Sequence, residues 1–278
     1  MADTIDRRAS PTTGAGSSGG IRAAVRVAER ELTFLRVAWK GVLFTFFIFP
    51  LVYLVGIGVG LGGLIEEDPA SREAIGGISY LAFVAPGILV GTMAQFGAGS
   101  GMWPIMAGHR WLGYHRAMTA TPIAPATIPT GLVAWIFVRT LLQAIVFLAG
   151  AAALGATGSW WALLASPIAG LAAATFAAPL MAFAAASDDD AAFDPLMRVV
   201  IAPLFLFSGA FFDVDVLPSA LAAVVKVFPL WHGIELARHA MAGSPGEWPI
   251  PANLAVMVAW AVIGWLVARR TFTKRLES

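Results

Sequence analysis

The sequence predicts an all-α integral membrane protein: six transmembrane helices, an N-terminal amphipathic interface helix, and an outer re-entrant helical hairpin between spans five and six. Three observations lead there. Of 278 residues, 58% are hydrophobic and 13% charged, where a soluble domain carries about 25% charged residues. Apolar stretches recur at about residues 41–64, 78–100, 128–151, 161–186, 196–212 and 251–268. A bilayer core of about 30 Å needs about 20 helical residues to cross, so the last two are short. Finally, the basic residues concentrate on one side. With the N-terminus inside, 14 of the 18 Lys and Arg fall on inner segments, three (Arg72, Lys226, Arg238) on outer ones, and Arg139 within a span. That bias predicts a multi-pass protein of the cytoplasmic membrane with both termini in the cytosol.

The elements follow in order. Residues 1–20 are rich in Ser, Gly, Thr and Ala without an apolar period and read as a disordered cytosolic tail. The first 40 residues hold no apolar core, so no cleavable leader is expected. Over 21–37, Arg22, Arg26 and Arg30 share one side and Val25, Leu32 and Leu35 the other. This pattern fits a helix lying in the membrane interface, and an ordinary cytosolic helix would share it. Pro50, Pro86, Pro167, Pro179 and Pro203 lie inside spans, where neighbouring helices can satisfy the freed carbonyls. Gly56, Gly58, Gly60, Gly62 and Ala172–Ala174 offer close helix approach. An acidic first outer loop (Glu66, Glu67, Asp68, Glu73) and a solvated inner turn (Asp188–Asp190, Asp194) complete the connections.

The stretch after span five is the most unusual. Asp213 and Asp215 follow the apolar run, then Pro218, an apolar segment, a break at Pro229, and a second short segment from about His232 to Ala242. Each limb of about ten residues reaches about 15 Å as helix, half a crossing. Two such limbs dip in and return, provided that protein or a wet cavity satisfies their backbone.

Among polar candidates, Trp111, Tyr114, His115 and Met118 fall at i, i+3, i+4 and i+7 of the inner loop between spans two and three. That is one face of a short helix, which a partner groove or a leaflet would cover alike. Arg139 sits near mid-membrane with Gln143 one turn on and Trp135 one turn before. A central Arg costs at least about 2.5 kcal/mol, so it faces the bundle interior. There it serves either a polar substrate group or a structural tie. Glu235 and Arg238 pair at i, i+3 in the hairpin. His232, Glu235 and His239 match no metal-ligand order, so capping the hairpin is expected rather than metal binding. Near-equal charge totals (18 against 17) give no reason to expect nucleic acid, and the absence of cysteine removes thiol chemistry. Ser208-Gly209 lacks the first Gly of an intramembrane protease motif, and no span holds a histidine to act as its base.

Pro203-Leu-Phe-Leu-Phe-Ser-Gly-Ala-Phe-Phe212, Leu217-Pro218, Pro229-Leu-Trp-His232 and Glu235-Leu-Ala-Arg238 resemble the signature of type-2 ABC transporter permeases, nearest in appearance to the nodulation-factor and drug exporter branch. Pro86-Gly87, Ala117-Met118 with Thr121-Pro-Ile123, and Gly131, Trp135 and Arg139 add to it, over about residues 25–276. The resemblance implies a permease domain over 21–278 that works with two P-loop ATPase subunits and a second permease copy or a related chain. It implies that the Trp111–Met118 loop is the coupling helix, that ATP and Mg sit on the partner, and that an amphipathic lipid, glycolipid or hydrophobic drug moves outward. Many relatives carry an acid before the Ala-Met pair; here Arg116 stands. No Gly-x-x-x-x-Gly-Lys-[Ser/Thr] occurs, so the chain has no motor of its own. The rivals are an ion-coupled secondary transporter, which would use acids near the midplane, and a membrane enzyme acting on lipids, which would need convergent His, Asp or Ser groups.

Overall fold

The structure, a computed structural model, describes residues 17–43, 48–67, 75, 77–243 and 246–277. Every regular element among them is helical. Helix α1 (Ser17–Leu43) is followed by α2 (Phe49–Leu54), which widens into a π turn over Val55–Val59, and by α3 (Gly62–Glu67). Helices α4 (Tyr80–Trp111), α6 (Thr127–Ala153), α7 (Trp160–Ala186), α8 (Phe193–Ala210) and α11 (Ile250–Glu277) are the five among the described residues long and apolar enough to cross a membrane. Between them lie α5 (Tyr114–Thr119), α9 (Ser219–Val227) and α10 (Pro229–Ala242).

Expected spans two to six thus correspond to α4, α6, α7, α8 and α11. The first, 41–64, crosses residues 44–47, which lie outside the described residues; its described parts are the end of α1, then α2, the wide turn Val55–Val59 and the start of α3. The expected tail also lies mostly outside them, but Ser17–Gly20 already belong to α1. Two spans overrun their expected ends. Helix α4 continues past residue 100 because Met102, Ile105 and Met106 stay buried against the bundle. Helix α11 continues past 268 because Ala268 and Phe272, one turn apart, extend its packed stripe.

Helices α4 and α7 form the centre. In α4, 78% of the most apolar window is buried, against 17% in α11, which leaves α11 at the periphery. Small residues make the seam. A methyl group at Gly97 would collide with the Ala173 carbonyl, and one at Gly101 would lie 2.5 Å from the Ala177 carbonyl. These glycines, one turn apart, let the two backbones touch, as small residues do where lipid gives no hydrophobic drive. Gly264 of α11 meets Pro179 of α7 in the same way, while Gly56, singled out above, is exposed with nothing for a methyl group to meet.

Helix α1 departs from the expected two-sided pattern. Its buried stripe is Ala23 and Val27, with Val27 and the Ala24 carbonyl seated against Gly131 of α6, and the apolar Ile21, Val25 and Leu32 are exposed. The helix therefore packs on the bundle through a third face, leaving the face assigned to the interface free.

Helix α8 contains two wide turns, Met197–Ile201 and Leu206–Ala210. The first precedes Pro203, where a wide turn relieves the ring's clash with the preceding carbonyls. The second ends at Gly209 with φ +87°, a conformation that costs glycine nothing. Beyond it, α9 and α10 meet at 84° around Phe228. The limbs form an elbow rather than a tight antiparallel pair, and the second starts at Pro229, a favoured first helical position, not near His232. They are also unequal. Leu230, Trp231, Ile234, Ala237 and Met241 of α10 are buried, whereas Leu221, Val224 and Val227 of α9 are exposed.

Candidate functional site

The loop between α4 and α6 does not form one continuous helix. Leu112 and Gly113 interrupt it, Gly113 at φ +66°, so Trp111 belongs to the end of α4 while Tyr114, His115 and Met118 belong to α5. The expected single face is therefore divided. Trp111 (55% exposed) and Leu112 (74%) project outward, beside exposed Arg110 and Arg116. His115 is fully buried, and Met118 packs on the core. Of the four expected contact residues, Trp111 is thus the most accessible, and His115 is closed off from any partner.

What holds the loop explains the burial. His115 Nδ1 lies 2.6 Å from His109 Nδ1, and both rings lie against Phe272 of α11. Burial first, then the His109 and Arg30 charges, push the His115 pKa down to about 2, so the ring is neutral. Tyr114 donates its hydroxyl to the Pro104 carbonyl at 2.9 Å, and the Arg30 guanidinium stacks 3.6 Å above its ring. Asp188 accepts from Arg110 and, at 2.7 Å, from Arg275, bracing the ends of α4 and α11 together. The Arg275 hydrogen bond, followed by the nearby Arg110 charge, holds its carboxyl below the usual range. The expected solvated turn is exposed but tied. The segment is thus anchored to α1, α4 and α11.

Arg139 lies beside this anchor. Its Nη2 donates to Ser100 Oγ of α4 at 2.6 Å, and the Glu31 carboxylate of α1 lies close enough to face its charge. Neither partner was expected. Glu31 stands in a helix assigned outside the spans, and Ser100 is 39 positions away. Gln143, the expected neighbour, is buried with both amide atoms unpartnered. Arg30, which donates to Glu31, joins this network to Tyr114.

At the other end of α4, the elbow residues converge. Arg238 donates from Nη1 to Glu235 at 2.9 Å and from Nη2 to the Gly209 carbonyl at 2.6 Å, over the Phe83 ring. It thereby caps the broken end of α8. Glu235 also accepts the Glu247 amide. His232 is occupied on both nitrogens, by Asn253 Oδ1 at 2.7 Å and the Lys226 carbonyl at 2.9 Å. Asp213 accepts the Asp215 amide, and Lys226 bridges Asp215 and Glu247. Pro229 opens α10, and Gly233 packs on Val90 of α4. From Val90 to Phe83, α10 therefore runs toward the Tyr80 end of α4. The phenol there donates to the Phe211 carbonyl at 3.4 Å.

Comparison with known proteins agrees with this architecture. The family model described as ABC-2 type transporter matches residues 27–242. Nodulation protein J of Rhizobium leguminosarum bv. viciae is 32% identical over 232 residues, covering 82% of this chain and 85% of that protein. Its counterpart in Rhizobium leguminosarum bv. trifolii is 34% identical over 232 residues (82% and 84%), and that of Rhizobium meliloti (strain 1021) 28% over 228 (82% and 84%).

Proposed function

Because the chain belongs to the ABC-2 type transporter family, we propose that it is the permease subunit of an ATP-driven exporter that moves an amphipathic lipid, glycolipid or hydrophobic drug outward across the cytoplasmic membrane. Two permeases, identical or related, would work with two P-loop ATPase subunits that carry ATP and Mg, and both termini would lie in the cytosol. The observation that carries this reading is the braced loop between α4 and α6. An apolar pair, Trp111 and Leu112, stands exposed on a segment fixed by Tyr114 to α1, by His115 to α11 and by Arg110 to the turn between α7 and α8. A merely interfacial helix needs no such anchoring, whereas a segment that transmits force does. A cavity of about 540 Å³ between α10 and the first turns of α7, lined by Trp161, Leu164, Ile168, Leu236 and Met241, supports an apolar cargo. Its walls suit an alkyl chain better than a sugar.

The test is reconstitution. The purified chain alone should hydrolyse ATP only at background, because its sequence holds no P-loop. Addition of the cognate ATPase should yield hydrolysis that responds to the permease. Robust turnover by the chain alone, or no complex with any P-loop subunit, would defeat the assignment.

A further inference from the structure

Helix α11 carries no charged residue between Ile250 and Arg269. At about 20 residues per crossing, Arg269 therefore arrives where the hydrocarbon ends. Here Arg269, Arg270, Thr273 and Lys274 line a cavity of about 420 Å³, with Leu266 and Ala126 completing it. No ion pair among the described residues joins Arg269, Arg270 or Lys274 to a carboxylate, in contrast to Arg275 on Asp188. Arg269 lies 4.8 Å over the Trp265 ring, and its Nε is buried without a partner. Trp265 in turn donates to Thr130 Oγ1 at 3.0 Å, fixing α11 to the first turn of α6. Ala126 stands just before α6, so the positive end of that helix dipole points toward the cavity. On the membrane side, Val262, Ile263, Leu266 and Val267 are exposed.

Three cations that no carboxylate offsets, a helix N-terminus and an adjoining apolar stripe at one level make a two-part surface. We propose that this cavity binds the phosphate headgroup of an anionic phospholipid from the leaflet on the C-terminal side, with its acyl chains along Val262–Val267. A free phosphate would use the cations but leave the stripe uncovered, and a zwitterionic lipid would bring its own positive charge into the basic cavity. The inference rests on the membrane-spanning fold alone and does not require an ATPase partner.

Native mass spectrometry of the full chain in a non-ionic detergent tests it, with dioleoylphosphatidylglycerol, dioleoylphosphatidylcholine of the same chains, and inorganic phosphate as separate probes. Phosphatidylglycerol should bind in preference to phosphatidylcholine, and phosphate should not displace it. The double variant Arg270→Gln/Lys274→Gln alters two exposed side chains, so the fold should persist. It should weaken phosphatidylglycerol binding about 30-fold, equivalent to about 1 kcal/mol per cation, and leave phosphatidylcholine unaffected. The charge-preserving Arg270→Lys/Lys274→Arg should bind like the parent. The proposal is overturned if the Gln variant keeps the parent's phosphatidylglycerol affinity, if the parent binds both lipids equally, or if millimolar phosphate strips the lipid away.

Discussion

Two buried groups show how far single residues could be read in advance. That Arg139 turns inward follows from the cost of a charge in lipid. Its partners do not, because Glu31 and Ser100 are brought together only by the packing of α1 and α4 around α6. Arg139→Leu should leave the Ser100 hydroxyl without its donor and the Glu31 carboxylate without a nearby positive charge, lowering the stability of the purified chain by about 1–3 kcal/mol. Arg139→Leu/Glu31→Gln should recover part of the loss, and the coupling is read as non-additivity of thermal midpoints. Strict additivity would show that the two groups do not interact. His115 is the second case. Its position in the loop was visible, its burial was not, since the ring that covers it belongs to Phe272 far along the chain. A histidine whose folded pKa is depressed to about 2 stays neutral, while the unfolded chain takes up a proton below about pH 6.5. Acid therefore favours unfolding, by about 2 kcal/mol between pH 7 and pH 5 for this group. His115→Phe should flatten the melting-temperature profile over that range, and an unchanged slope would place the acid sensitivity elsewhere.

At the scale of elements, five spans were legible because hydropathy is a local property, and their ends were not because ends are set by contacts. The interrupted loop is instructive. Its i, i+3, i+4, i+7 spacing is genuine, yet Gly113 at positive φ turns the chain before the face can form. The accessible apolar surface is Trp111–Leu112, so Trp111→Ala/Leu112→Ala should weaken ATPase binding at least tenfold in a pull-down titration while the chain still purifies intact. Tyr114→Phe, which loses only the bond to Pro104, should bind nearly as the parent does. Equal binding by the Ala pair would remove the loop from the contact. The elbow invites a different measurement, since the parent has no cysteine. Val216→Cys and Gly246→Cys should react quickly with an impermeant thiol reagent added outside cells. Val227→Cys should react slowly, although its side chain is 62% exposed in the isolated chain, because lipid rather than protein would cover it. Fast labelling at Val227 would lift the elbow out of the membrane.

For the molecule as a whole, the class was evident from composition, and the order of Pro, Gly and aromatic signatures pointed to the family that 27–242 matches. What composition cannot carry is the centre of the bundle, which depends on which small residues meet. At Gly97 and Gly101 the backbone of α4 meets the Ala173 and Ala177 carbonyls of α7 with no side chain between them. A joint without padding transmits displacement instead of absorbing it. Helix α4 spans Tyr80–Trp111, about 48 Å at 1.5 Å per residue. One end carries the exposed Trp111; the other carries Phe83 beneath Arg238, and Tyr80 bonded to Phe211. Helix α7 thus splints the middle of this long helix. A tilt imposed on the Trp111 end would reach the clasp that closes α8 against α10 through a helix that α7 splints at Gly97 and Gly101, while Pro86, Pro104 and the wide turn Ala107–Trp111 are where it would bend.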